Sequence, residues 1–128
     1  MTTHDFDDVI DEVAPAVPDA DLYDHCSDVG NAARFAVQHH DRAKFCHALN
    51  TWMLWDGEIW RPDTIGAVQH LAVDTVRTIY HEAALLPTKA ERDTRAKWAA
   101  TSESDSRLHA LLSLARANLP VRLEQLDA

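Results

Sequence analysis

At 128 residues and a formal net charge of −9, the chain is long enough for one domain with one core. It lacks the strong basic footprint of a nucleic-acid binder and any apolar run near the roughly 18 residues of a membrane helix. Two cysteines, Cys26 and Cys46, are too few for a disulfide framework, and Met1-Thr2-Thr3-His4-Asp5 is not a secretory signal. A cytoplasmic protein with reduced thiols is expected. The charge is uneven. Residues 1–33 carry nine acidic side chains and no Lys or Arg, whereas residues 34–128 carry twelve of each sign.

In chain order, residues 1–20 read as an acidic arm. Phe6, Val9, Ile10 and Val13 fall at i, i+3, i+4 and i+7, one helical stripe. Ala14-Pro15-Ala16-Val17-Pro18 then forms a semi-rigid linker. The arm is read as a solvated tail; the sharper alternative makes the stripe a binding element for an apolar groove, here or on a partner. A domain spanning 21–128 follows. Its first helix is expected within Asp21 to His40, with Ser27 or Asp28 as N-cap. Ala43 to Ala48 offers a short strand.

Residues 52–60, Trp-Met-Leu-Trp-Asp-Gly-Glu-Ile-Trp, carry the strongest short-range signal. Asp-Gly between aromatic and branched residues predicts a hairpin with a two-residue turn. That turn would pair Trp55 with Glu58 and Met53 with Trp60. Both ribbon faces are then apolar, so Trp52, Trp55 and Trp60 are expected to hold the ribbon between the first helix and the next. That next helix is long, with Ile65, Val68, Ala72, Val76, Ile79, Ala83 and Leu86 stepping by three and four, and Pro87 stops it. Thr88 and Glu91 form a capping box for a further helix to about Thr101. Leu108, Leu111, Leu112, Ala115 and Leu119 make the last stripe, closed by Pro120. The expected fold is mainly α, a small helical domain with one short β-hairpin, about residues 52–60, packed on it.

No catalytic constellation emerges. Gly30, Gly57 and Gly66 are the only glycines, and none precedes the Lys-Ser or Lys-Thr of a phosphate-cradling loop. No Gly-x-Ser-x-Gly turn is present. His39, His40, Cys46 and His47 match no zinc spacing and are read as polar helix-end and strand residues. No metal and no cofactor is expected. The tryptophans are read as core rather than as a base-stacking platform, because Asp56 and Glu58 share the hairpin with only Arg61.

Ser27 to Asp41, the Trp-x-x-Trp-Asp-Gly-x-x-Trp ribbon, the long helix Val68 to Ala84, Lys97-Trp98, Ser102-Glu103-Ser104 and Leu108 to Leu126 together resemble the helical domain that precedes the superfamily 3 AAA+ motor in phage, plasmid and poxvirus primase–helicases. The resemblance covers about residues 21–128 and is most specific at the ribbon. It implies a non-catalytic accessory domain in DNA replication, serving ring assembly or the placement of DNA and partners. The motor, an ATP-dependent DNA helicase, would lie beyond Ala128 in a longer parent. The partners implied are that downstream motor or like subunits, and a replication protein. The family-motif positions are Asn31, Arg34, Trp52, Trp55, Asp56, Gly57 and Trp60, with structural roles expected. Little or no direct nucleic-acid binding and no membrane association are expected. The alternative is a free-standing mobile-element binding protein that engages a protein partner through the acidic arm.

Overall fold

The computed structural model describes residues 25–126. The arm and its stripe, Phe6, Val9, Ile10 and Val13, lie outside the described residues. Within them the chain forms α1 (Asp28–His39), β1 (Ala43–Cys46), β2 (Thr51–Trp55), β3 (Trp60–Pro62), α2 (Ala67–Ala84), α3 (Lys89–Ser102) and α4 (Asp105–Asn118), then a 3-10 turn at Leu123–Gln125. The mainly helical fold with a small antiparallel sheet is the expected one.

Local sequence explains the helix starts. Ser27 is extended and its side chain accepts from the Gly30 N–H at 3.0 Å, satisfying one of the free donors of the first turn. Thr88 and Glu91 form the complete capping box, and Ser104 caps α4 by accepting from the Arg107 N–H. At α2 the work falls to Asp63. Its two carboxylate oxygens accept from the N–H groups of Ala67 and Val68, both at 2.9 Å. Burial pushes the Asp63 carboxyl up, but these backbone donors outweigh it and hold its pKa below the ordinary value.

α1 packs chiefly on α4, and α2 on α3. Phe35, Val76, Ile79, Leu111, Ala115 and Leu119 are fully buried between them. The small residues Ala32, Ala33 and Ala36 let α1 sit deep in the domain. The α2 stripe holds from Val68 to Ala83 but fails at its ends. Ile65 precedes the helix and is 85% exposed, and Leu86 beyond the last turn is half-buried. Helical phase carries no information once the chain leaves the helix.

The sheet has the order β1-β2-β3. Phe45 pairs with Trp52, and Trp52 in turn meets Phe35 across the sheet-to-helix interface. The ring centroids lie 5.3 Å apart for Phe45–Trp52 and 5.8 Å for Phe35–Trp52. β1 is not a free edge, because Phe45 donates to the Leu119 carbonyl and accepts from the Val121 N–H. The hairpin register differs from the expected one. Trp55 pairs with Trp60, Leu54 with Arg61 and Met53 with Pro62, so Asp56 to Ile59 form a four-residue turn. The cause is Asp56, whose side chain accepts from the N–H groups of Glu58 and Ile59 at 2.8 and 2.9 Å. These local bonds compete successfully with a tighter ladder. A shift of two preserves which face each strand residue occupies, but moves Ile59 from strand into turn, where it is 41% exposed.

Candidate functional site

Two constellations contain the family-motif positions. The first is a polar hub inside the helices. Arg34 is completely buried. Its Nε and Nη2 donate to the two oxygens of Glu82 at 2.7 and 2.8 Å, and Nη1 donates to the His25 carbonyl at 2.8 Å and to Asn31 Oδ1 at 3.1 Å. Asn31 Oδ1 also accepts from Trp98 Nε1 at 3.0 Å, while its Nδ2 donates to Ser102 Oγ at 2.9 Å. Glu82 further accepts from Arg95 at 2.8 Å. At the rim Arg107 donates to Asp28 at 2.8 Å and lies over the Trp98 ring at 5.6 Å. One network thus joins α1, α2, α3 and α4.

A buried charge is costly unless paired and hydrogen-bonded, and only a planar guanidinium matches a carboxylate through two parallel bonds. Arg34 and Asn31 are both fully buried, and each is hydrogen-bonded to partners on other elements of the domain. Glu82 and Arg95 were not singled out from sequence, and Ser102 entered only as part of the Ser102-Glu103-Ser104 match. Their signal is faint: Glu82 sits beside the apolar stripe of α2, and Ser102 reads as an ordinary helix-end residue.

The second constellation is the ribbon tip. Trp52 is buried at the ribbon's root, and Met53 is buried on the other face. Cover does not extend to the tip. Trp55 is 40% exposed and Trp60 half-buried, and their rings meet at a tilt of 58° with centroids 5.3 Å apart. The expectation that both Trp55 and Trp60 pack between helices is thus corrected. A cross-strand aromatic pair gains part of its stabilisation from its own partner and tolerates open surface. Trp55, Ile59 and Trp60 place three large apolar side chains on one turn.

That turn is rigid. Besides the two backbone donors, Asp56 accepts from Arg61, and the Asp56 N–H donates to the Ile59 carbonyl at 3.1 Å. The Ile59 N–H, the Arg61 side chain and the Glu58 N–H together lower the Asp56 pKa to about 2. Gly57 has φ +105°, and nothing lies within 4 Å of where a Cβ would stand. Glycine is required there by backbone conformation, not by space. Around the ribbon the acids Asp41, Asp56 and Glu58 offset Arg42, Lys44 and Arg61. The tip is aromatic without being basic.

The clustered histidines and cysteine part company. His39 is buried on α1, Cys46 is buried in β1, and His40 and His47 are exposed; the His47 ring stacks edge-on with Phe45 at 4.8 Å. Among the described residues no three His, Cys, Asp or Glu side chains gather as a metal ion requires. No helix among them is long and apolar enough to cross a membrane.

A family model described as D5 N terminal like matches residues 32–128, a span that takes in the ribbon, α2, α3, α4 and most of α1. No curated protein matches the chain, and no solved structure does.

Proposed function

The chain belongs to the D5 N terminal like family, the N-terminal domain of phage- and poxvirus-type primase–helicases, and from this we propose that it is a non-catalytic accessory domain of a phage or mobile-element replication protein. It offers the rigid Trp55–Ile59–Trp60 tip to the helicase or primase region of its own assembly. The observation that carries this reading is the contrast between the two constellations. The centre of the hub, Asn31, Arg34 and Ser102, is buried and hydrogen-bonded within the domain, whereas the tip exposes adjacent large apolar groups on a turn fixed by Asp56. Exposed aromatic anchors on a rigid support are the usual centres of protein interfaces. A tip with two acids, Asp56 and Glu58, against one base, Arg61, favours a protein over a phosphate backbone. The role served is ring assembly or the placement of DNA and partners during replication.

A second reading is favoured by one feature, the nine acids without a base in residues 1–33. It makes the protein a free-standing mobile-element factor that meets a protein partner through Phe6, Val9, Ile10 and Val13. Coding sequence adjacent to codon 128, in frame or as a neighbouring gene, separates the two. A motor with a phosphate-cradling loop supports the accessory domain. Absence of any motor in that neighbourhood sinks it.

A further inference from the structure

We infer that the contact between His39 and Arg42 is a proton-sensitive latch that couples the last turn of α1 to the ribbon. Arg42 Nη2 lies 3.0 Å from His39 Nδ1, and Thr75 Oγ1 lies 3.1 Å from His39 Nε2. A guanidinium can only donate. Nδ1 must therefore accept, so the imidazole is neutral, carries its proton on Nε2 and donates it toward α2. The ring is buried and stacks against Phe35 with centroids 4.9 Å apart.

The latch reaches the ribbon through the backbone of the same arginine. The Arg42 N–H donates to the His39 carbonyl, and the Arg42 carbonyl accepts from the Trp55 N–H, each at 2.9 Å. Trp55 is the last residue of β2 and one half of the tip pair. A proton added at Nδ1 turns the acceptor into a donor facing a donor and sets two cations about a hydrogen-bond length apart. The Arg42 guanidinium is then repelled, and its displacement loosens the short backbone segment whose Arg42 carbonyl anchors the Trp55 amide.

The groups facing the ring from each packed element set the direction. From α2 come Asp74 and the Leu71 backbone, and from the turn before β1 comes Asp41; all three favour the proton. Burial first, and the Arg42 charge second, oppose it and prevail, so the pKa of His39 lies below the ordinary imidazole value of 6.5. A depressed histidine pKa contributes stability that is complete above the unfolded value and is lost as pH falls toward the folded one. The latch is thus closed at neutral pH and opens as pH falls toward the lowered pKa of His39, which lies below 6.5. It governs the order of the ribbon whatever the tip meets.

The test is nitrogen-15 NMR of the full chain, with amide exchange of Trp55 followed across the same pH range and His39→Gln as the comparison. Glutamine can accept from Arg42 through its carbonyl and donate to Thr75 through its amide, and it does not titrate. The expected result is an Nε2-protonated His39 at neutral pH, Trp55 protection that falls in the natural protein as pH drops toward the lowered pKa of His39, and protection that stays flat in His39→Gln. A proton on Nδ1 at neutral pH overturns the latch. So does the same fall in both proteins, which would trace the pH response to the other histidines.

Discussion

Arg34 and Glu82, forty-eight positions apart, meet through two parallel hydrogen bonds of 2.7 and 2.8 Å, with no part of the arginine side chain in solvent. This pair fixes α1 against α2 and, through Asn31 and Arg95, against α3. Removing one partner of a buried ion pair typically costs about 3–5 kcal/mol, a large share of the ~5–15 kcal/mol of a whole domain. Arg34→Met should therefore destabilise the protein by that order in urea denaturation. Arg34→Lys should recover little, since an ammonium cannot make the forked contact. A loss below about 1 kcal/mol for Arg34→Met would mean that the hub is dispensable.

The tryptophans of the ribbon should separate by position. Trp52 is wedged between Phe35 and Phe45, and truncating a buried aromatic costs about 3–5 kcal/mol; Trp52→Ala should lower the melting temperature strongly. Trp55 is 40% exposed, and its main stabilising contact is the cross-strand pair with Trp60, of about 0.2–1 kcal/mol. Thermal denaturation of Trp55→Ala should stay close to that of the natural protein. Equal losses at both positions would contradict the division between root and tip.

The turn should resist acid. With the Asp56 pKa lowered to about 2, the carboxylate's contribution is complete above the ordinary value of 3.8 and disappears only as pH falls toward 2. The Glu58 and Ile59 amide resonances should therefore remain at their neutral-pH positions down to about pH 4 and move together below it. In Asp56→Asn that acid transition should vanish. Gly57→Val should loosen the turn even though its Cβ meets no atom, because a β-branched residue resists φ +105°.

Most of this architecture was legible in the sequence because it rests on local signals. The α2 and α4 stripes, the Thr88–Glu91 box and a first cap at Ser27 or Asp28 all follow from spacing and side-chain chemistry. The ribbon register was not, because Asp56 uses its side chain to widen the turn, and Asp-Gly alone does not reveal which bonds the aspartate makes. The hub was legible only in part. Asn31 and Arg34 stood out through the motif, but their partners Glu82, Arg95 and Ser102 lie up to 71 positions away, and a lone charge beside a helical stripe does not name its counter-ion. The exposure of Trp55 was hidden for a related reason: apolar character on both faces of a strand predicts cover, and cannot distinguish a core from an interface.

Single-stranded DNA should bind weakly to the isolated chain near 150 mM salt, where the screening length is about 8 Å. Residues 34–128 carry no net formal charge and the acidic residues 1–20 repel phosphate. Deleting residues 1–20 should raise whatever binding exists. Sub-micromolar affinity of the full chain in a fluorescence titration, lost on Trp55→Ala, would recast the tip as a base-stacking surface.

The most direct measurement takes the chain together with the helicase motor that the proposed function requires, joined or separate, and follows their assembly by native mass spectrometry in the natural protein and in the paired variant Trp55→Ala, Ile59→Ala. The account predicts that the variant melts within a few degrees of the natural protein, as surface substitutions do, while its assembly with the motor is lost or strongly weakened. Unchanged assembly in a folded variant would contradict the assignment of the ribbon tip as the surface through which this domain joins the replication machinery.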